Sequence, residues 1–99
     1  MKMEIAGKNI NWDDTKAEIN KRKHGVSFSI AARIFLDENR YEEFDEIHSI
    51  DEDRYKVVGK VGEILVVIYT ERGIETRLIS ARRATKQEED KYYGQYSGL

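Results

Sequence analysis

The segment Glu63 to Arg83 carries the densest β-branched run of the chain, and a turn signal at Glu71-Arg72-Gly73 interrupts it once. Ile64 to Thr70 shows no polar alternation, which suits a central strand covered on both faces, and Gly73 supplies the positive φ of a three-residue hairpin loop. With Thr70 facing Ile74, the pairing predicts Val67 opposite Arg77, Tyr69 opposite Glu75, Val66 opposite Leu78 and Ile68 opposite Thr76. One face is then apolar (Ile64, Val66, Ile68, Leu78), and the other carries Leu65, Val67 and Ile79 together with Tyr69 and Arg77. The preceding run, Arg54 to Lys60, alternates and joins the hairpin through Val61-Gly62, so it reads as a third antiparallel strand. A two-residue turn there sets Lys60 opposite Glu63. It sends Tyr55 and Val57 to the apolar face, and Arg54, Lys56 and Val58 to the face of Tyr69 and Arg77. One sheet surface thus gathers two arginines, a lysine and a tyrosine, although a one-residue slip at Val61-Gly62 would undo that arithmetic. The plainer reading of charged alternation is a solvated outer face.

A chain of 99 residues, 39% hydrophobic and 36% charged, is expected to form one domain, residues 1–99, with a single modest core and a heavily charged surface. The net charge of −2 is no global signal for nucleic acid, but its distribution is uneven. Residues 37 to 53 hold nine acids against Arg40, whereas residues 72 to 86 hold Arg72, Arg77, Arg82, Arg83 and Lys86 against Glu75. Lys16, Lys21, Arg22 and Lys23 add a second basic segment against Glu18. A polyanion could meet the basic segments, or a basic partner the acidic one. The absence of cysteine removes disulfides and thiolate metal sites and allows a reducing compartment. No apolar run approaches the ~20 residues of a membrane span, and no signal-peptide core opens the chain, so the expected location is the cytoplasm.

Along the chain, Lys8 to Trp12 suits a short edge strand, and Asp13 is placed to cap a helix over Asp14 to His24 that ends at Gly25. That helix has a poor apolar stripe: Ala17, Asn20 and His24 put a polar pair where a core helix would carry leucine. Ser27 caps a second helix, Phe28 to Leu36, whose Phe28, Ala31, Ala32 and Phe35 follow the spacing of a core-facing stripe. Tyr41 to Ile47 reads as an edge strand guarded by acids. Asp51-Glu52-Asp53 is a solvated turn rather than a metal loop, because consecutive carboxylates point apart. Thr85-Lys86-Gln87-Glu88 fits a capping box and opens a last, polar helix to about Tyr93, with Gly94 to Leu99 frayed.

No nucleophile elbow, phosphate loop, zinc spacing or dinucleotide fingerprint occurs. The remaining chemistry is arginine, lysine, tyrosine and histidine near one side of a small sheet. Such groups suit metal-free RNA cleavage, in which the 2′-OH attacks the adjacent phosphorus, a base takes its proton and fixed cations stabilise the charge on the non-bridging oxygens. Arg54 and Arg77 are candidates to grip those oxygens bidentately, with Arg82 and Arg83 on the approaching backbone. His24 could be the base or acid, imidazole being the side chain that titrates near neutrality, or a helix-terminal residue packed on Trp12. Lys56, Tyr69, Arg83 and Lys86 are candidate nucleic-acid contacts. His48, after the acidic strand, reads as structural or merely exposed.

These residues carry a resemblance. Trp12-Asp13-Asp14-Thr15-Lys16-Ala17, Asn20, Lys23-His24-Gly25-Val26-Ser27-Phe28, Ala31-Ala32, Asp53-Arg54-Tyr55, Val66-Val67-Ile68-Tyr69-Thr70 and Arg77-Leu78-Ile79-Ser80-Ala81-Arg82-Arg83-Ala84-Thr85 resemble, in order and spacing, the BrnT family of type II toxin-antitoxin ribonucleases. The resemblance runs from Trp12 to about Tyr93. It departs at Ser29-Ile30, where members often carry acids, so the second helix lacks a reciprocal cap. It implies an α+β, RelE-like fold with an antiparallel sheet of about four strands, two N-terminal helices and one C-terminal helix. It further implies a cytoplasmic toxin that cuts RNA without metal or cofactor and inhibits growth. The implied partner is a BrnA-type ribbon-helix-helix antitoxin that neutralises the toxin and binds operator DNA with it. It does not single out one of His24, Arg54, Arg77 and Arg82 as catalytic.

Two other classes compete with an RNA-cutting enzyme: a regulatory module whose basic face binds nucleic acid without cutting it, and an interaction domain that works through its acidic segment. The stripe at Phe28 to Phe35 makes Phe35→Ala a core lesion, expected to destabilise the fold by about 3 kcal/mol as read from the urea midpoint.

Overall fold

The computed structural model describes residues 1–95; of the fraying expected over Gly94 to Leu99, Gly94 is instead helical and Tyr96 to Leu99 lie outside the described residues. The order is β1 (Lys2–Ile5), β2 (Lys8–Asn11), α1 (Asp14–His24), α2 (Phe28–Ala31), a 3₁₀ segment (Ala32–Leu36), β3 (Tyr41–Phe44), β4 (Tyr55–Val61), β5 (Glu63–Arg72), β6 (Glu75–Arg83) and α3 (Lys86–Gly94). The fold is α+β as expected, with six strands rather than about four, ordered β1-β2-β6-β5-β4-β3. β2 and β6 run parallel, so the sheet is mixed, and β2 is an inner strand rather than an edge. The strand with no forecast is β1. Its turn into β2 uses Ala6 at φ 53° beside Gly7 at φ 76°, and alanine gives no warning of a left-handed position.

Both central registers differ from the sequence reading. Gly62, at φ 76°, turns the chain by itself, so Val61 rather than Lys60 faces Glu63. At the hairpin Gly73 takes φ 62° at the first position of a two-residue turn, which matches strand twist better than the expected three-residue loop. Arg72 therefore faces Glu75, Thr70 faces Arg77 and Tyr69 faces Leu78; a bulge at Ile68/Tyr69 then sets Ile68 opposite Ser80 and Val66 opposite Arg82. β4, and β6 as far as the bulge, change face relative to β5, so the two slips cancel for Lys56 and Arg77, and the bulge then restores the expected parity from Ser80 on and brings Arg82 to the same surface. Lys56 and Arg77 still share a surface, now with Ile64, Val66 and Ile68, while Tyr69 leaves it.

The helices cover the other surface. Leu65, Val67, Tyr69, Leu78, Ala81 and Val57 pack against Phe28, Ala31, Ala32, Ile34 and Phe35, with Ile10, Trp12 and Val26 closing one side. The expected stripe is buried throughout, although α2 tightens into the 3₁₀ segment after Ala31. Phe35 meets Tyr69 edge-on at 5.4 Å. Gly59 lets the 3₁₀ segment sit close, since a Cβ there would lie 2.7 Å from Ile34 Cγ1. On the opposite surface Tyr92 of α3 lies over Val58, Ile64 and Val66 and donates its hydroxyl to Asp37 at 2.5 Å. This contact docks a helix whose sequence showed little apolar stripe.

α1 is capped as foreseen: Asp13 accepts from the Thr15 N–H at 2.8 Å, and Gly25 closes the helix at φ 71°. The residue it buries is Asn20. The Asn20 side-chain amide donates to Ala81 O (2.9 Å) and to Val26 O (3.0 Å), and its oxygen accepts from Ala81 N (3.1 Å). Both Ala81 backbone groups point away from β5, so Asn20 fills the place of a seventh strand beyond the end of the β2–β6 pairing. Asn20→Ala would leave three buried backbone groups unpaired, and a loss of about 3 kcal/mol in urea unfolding, at unchanged m, is expected.

Candidate active site

The tie from Asn20 to Ala81 brings the C-terminus of α1 beside the outer end of β6, and there a cleft of about 480 Å³ opens. α1 contributes Lys23 and His24, the loop after β3 contributes Asp45, Ile47 and His48, and the start of β4 contributes Arg54 and Lys56. Ile68, Ile79, Ser80 and Arg82 complete the lining. Three of the four residues proposed as catalytic, His24, Arg54 and Arg82, therefore converge with Lys56 in one place.

Their electrostatic states differ. Arg82 forms a two-pronged pair with Glu88 of α3 (2.8 and 3.0 Å), and Lys56 reaches the same carboxylate at 2.6 Å. Glu88 also accepts the Thr85 N–H at 2.8 Å, while Thr85 Oγ1 accepts the Glu88 N–H, completing the capping box. The Arg82 hydrogen bonds hold the Glu88 carboxyl far below its ordinary value of 4.5, against the opposing effect of burial, and the pairing raises Arg82 in turn. Arg54 has no such counter-ion within ion-pair distance among the described residues. Its Nε is buried without a hydrogen-bond partner. Its backbone is fastened by Ser49 Oγ accepting from Arg54 N (2.8 Å) and by Arg54 O accepting from Asp45 N (2.8 Å). Arg54 thus has an anchored backbone and a guanidinium outside any ion pair among the described residues.

The other candidates lie elsewhere. Arg77 shares the sheet surface but does not line the cleft, and it donates to Asn11 Oδ1 at 3.4 Å. Tyr69 is 6% exposed on the helix-covered surface, stacked on Tyr55 and bonded to Glu42, so the expected contact face is corrected for it. Burial and the Glu42 bond push its phenol above its usual range. Arg83 follows the parity of Leu65 and donates to His24 O (2.9 Å) and Glu63 (2.9 Å), steadying the helix that carries His24. Lys86 is exposed in the first turn of α3 and pairs with Asp90 at 2.6 Å. His48, set aside from sequence, lines the cleft with its Nδ1 2.8 Å from Asp45 Oδ2. The one available signal was an aspartate three residues before it.

The described residues build a six-stranded α+β fold with guanidinium, ammonium and imidazole groups around one cleft. A family model described as "Ribonuclease toxin, BrnT, of type II toxin-antitoxin system" matches residues 12–88, and the chain belongs to that family. The crystal structure of the Brucella abortus ribonuclease toxin BrnT is similar, with a TM-score of 0.59 and 28% identity over 78% of this chain and 96% of that one. No curated protein sequence matches. β1 and β2 precede the matched range. Among the described residues no helix is long and apolar enough to cross a membrane.

The Glu88 network carries a pH dependence. A carboxyl whose folded pKa is depressed stabilises the fold above its unfolded value of 4.5 and loses that contribution as pH falls toward the folded value. Glu88→Gln is expected to destabilise the protein by about 2 kcal/mol near pH 7, a figure discounted because Arg82 is 34% exposed. Its urea midpoint should also fall less steeply than that of the unaltered protein below about pH 4.5, which paired melts across the acid range would show.

Proposed function

We propose that the chain is the toxin of a type II toxin-antitoxin pair and cuts RNA by attack of a 2′-OH on the adjacent phosphorus. The observation that carries this reading is the meeting of His24, Arg54, Lys56 and Arg82 in one cleft, with no carboxylate within ion-pair distance of the Arg54 guanidinium among the described residues. Arg54 grips the non-bridging oxygens and stabilises the charge that builds on them during attack. His24, at the rim on α1, takes the proton of the attacking hydroxyl. Arg82, neutralised and oriented by Glu88, presents a fixed face to the phosphate, and Lys23 and Lys56 draw the RNA backbone inward. Arg77, Arg83 and Lys86 contact flanking RNA outside the cleft. No step calls for a metal or an organic cofactor.

Family membership supports a partner antitoxin, which we take to be of the BrnA ribbon-helix-helix type. Bound over the cleft, it would keep RNA from Arg54 and His24, and the pair would bind operator DNA through the antitoxin and repress its own operon. A cytoplasmic site of action follows, because RNA substrate and operator are both there.

The test is induced expression with mapping of RNA ends, followed by cleavage with purified protein. Growth arrest and new RNA ends are expected. Arg54→Ala should lower the cleavage rate roughly 10²- to 10³-fold in a folded protein, as for loss of a donor to an anionic transition state. Arg77→Ala should cost less than about tenfold, because that side chain meets only flanking backbone. RNA bound but left whole by the unaltered protein would instead identify a non-cleaving module.

A further inference from the structure

The cleavage mechanism so far has a proton acceptor but nothing to protonate the departing oxygen. The loop between β3 and β4 supplies a second imidazole on the same cleft. His48 is well exposed, with 61% of its side chain open to solvent, whereas Asp45 beside it is only 12% exposed. A nearly buried carboxylate needs a partner, and the one side chain bonded to Asp45 among the described residues is the His48 ring, Nδ1 to Oδ2 at 2.8 Å. The arrangement is braced from behind. Ser49 Oγ donates to Asp45 O at 2.5 Å and accepts from Arg54 N, and Asp45 N donates to Arg54 O, so the dyad is tied to the residue that grips the phosphate. Asp45 also faces the His48 N–H at 3.4 Å. With Nδ1 engaged, the ring has Nε2 free for substrate.

We infer that His48, oriented by Asp45, is the general acid of RNA cleavage, opposite His24 as base. The inference rests on the RNA-cleavage reading and adds a residue to it. The two imidazoles divide the roles by their surroundings. His48 has the Asp45 carboxylate against Nδ1, which fixes the ring and turns Nε2 toward the position of a donor to substrate. The His24 side chain has no carboxylate partner among the described residues and sits with Lys23, Arg54 and Lys56 around the same cleft, which leaves it for the role of proton acceptor. In the reaction the 2′-OH gives its proton to His24 as its oxygen bonds to phosphorus. The bond from phosphorus to the 5′-oxygen breaks, and His48 Nε2–H delivers a proton to that oxygen. The products are a 2′,3′-cyclic phosphate and a 5′-hydroxyl, and both rings return to their starting states by exchange with water. Asp45 is a positioning residue: it touches His48 and not the RNA.

The experiment compares single-turnover cleavage of one RNA in two forms, with the natural bridging 5′-oxygen at the mapped cut site or with sulfur in its place. A thiolate leaves without protonation. His48→Ala is expected to lose roughly 10²-fold or more on the oxygen substrate and to come within about fivefold of the unaltered protein on the sulfur substrate. His24→Ala should lose on both. Asp45→Asn should show the His48 pattern in weaker form, about tenfold on oxygen and near none on sulfur. Equal loss by His48→Ala on both substrates would overturn the assignment by reducing His48 to a structural role, and so would no loss on either. Intact RNA with the unaltered protein would overturn the cleavage reading itself, and the assignment with it, so the two failures are distinguishable.

Discussion

One asparagine holds the architecture and the candidate chemistry together. A helix can lie along the edge of a sheet only if the strand's outward N–H and C=O groups find partners, since burying them unpaired is costly. Asn20 meets that demand at Ala81 and uses its second amide hydrogen on Val26 just beyond the helix. The helix is fixed at one level against β6, its last turn overhangs the cleft, and Arg83 secures the end by donating to His24 O. Leucine at position 20 would have improved the apolar stripe of α1 and left the edge unsatisfied.

The cations around the cleft fall into two groups, and the difference is in their partners. Glu88 gathers Arg82, Lys56 and the Thr85 N–H, so one buried carboxylate caps α3, docks it on the sheet and sets the orientation of two basic side chains. Such a hub stabilises a structure but offsets the charge it collects. Arg54 is fastened through its backbone, and among the described residues its guanidinium enters no ion pair. On the proposed reading, Arg54 is the group that could engage a phosphate without first breaking an ion pair.

The sheet shows how a wrong register can leave a right face. The turns at Gly62 and Gly73 are each shorter than the sequence reading, and each shift reverses a strand relative to β5. Because β4 and the first half of β6 both reverse, Lys56 and Arg77 stay together while the β5 residues between them exchange faces, Tyr69 leaving and Ile64, Val66 and Ile68 arriving. Side-chain parity was legible at the strands because alternation is local. The turn lengths were not, because a glycine at positive φ serves one-, two- and three-residue connections alike. β1 escaped for a related reason: its turn uses Ala6, and its pairing with β2 depends on a sheet built by residues far along the chain.

Amino-acid order alone determined the elements whose causes lie within a few residues: the Asp13 cap and Gly25 stop of α1, the stripe of Phe28 to Phe35, the capping box of α3, the β-branched strands and the family resemblance. Tertiary structure alone decided which of the basic and imidazole groups meet. Arg54, His24 and Arg82 come from segments separated by tens of residues, and His48 joins them because the loop after β3 is pinned by Ser49 and Arg54. Caps and stripes are short-range consequences of backbone hydrogen bonding and helical period. The gathering of a cleft depends on how a sheet twists and where a helix is tied to its edge, and no window of sequence contains both ends of such a contact.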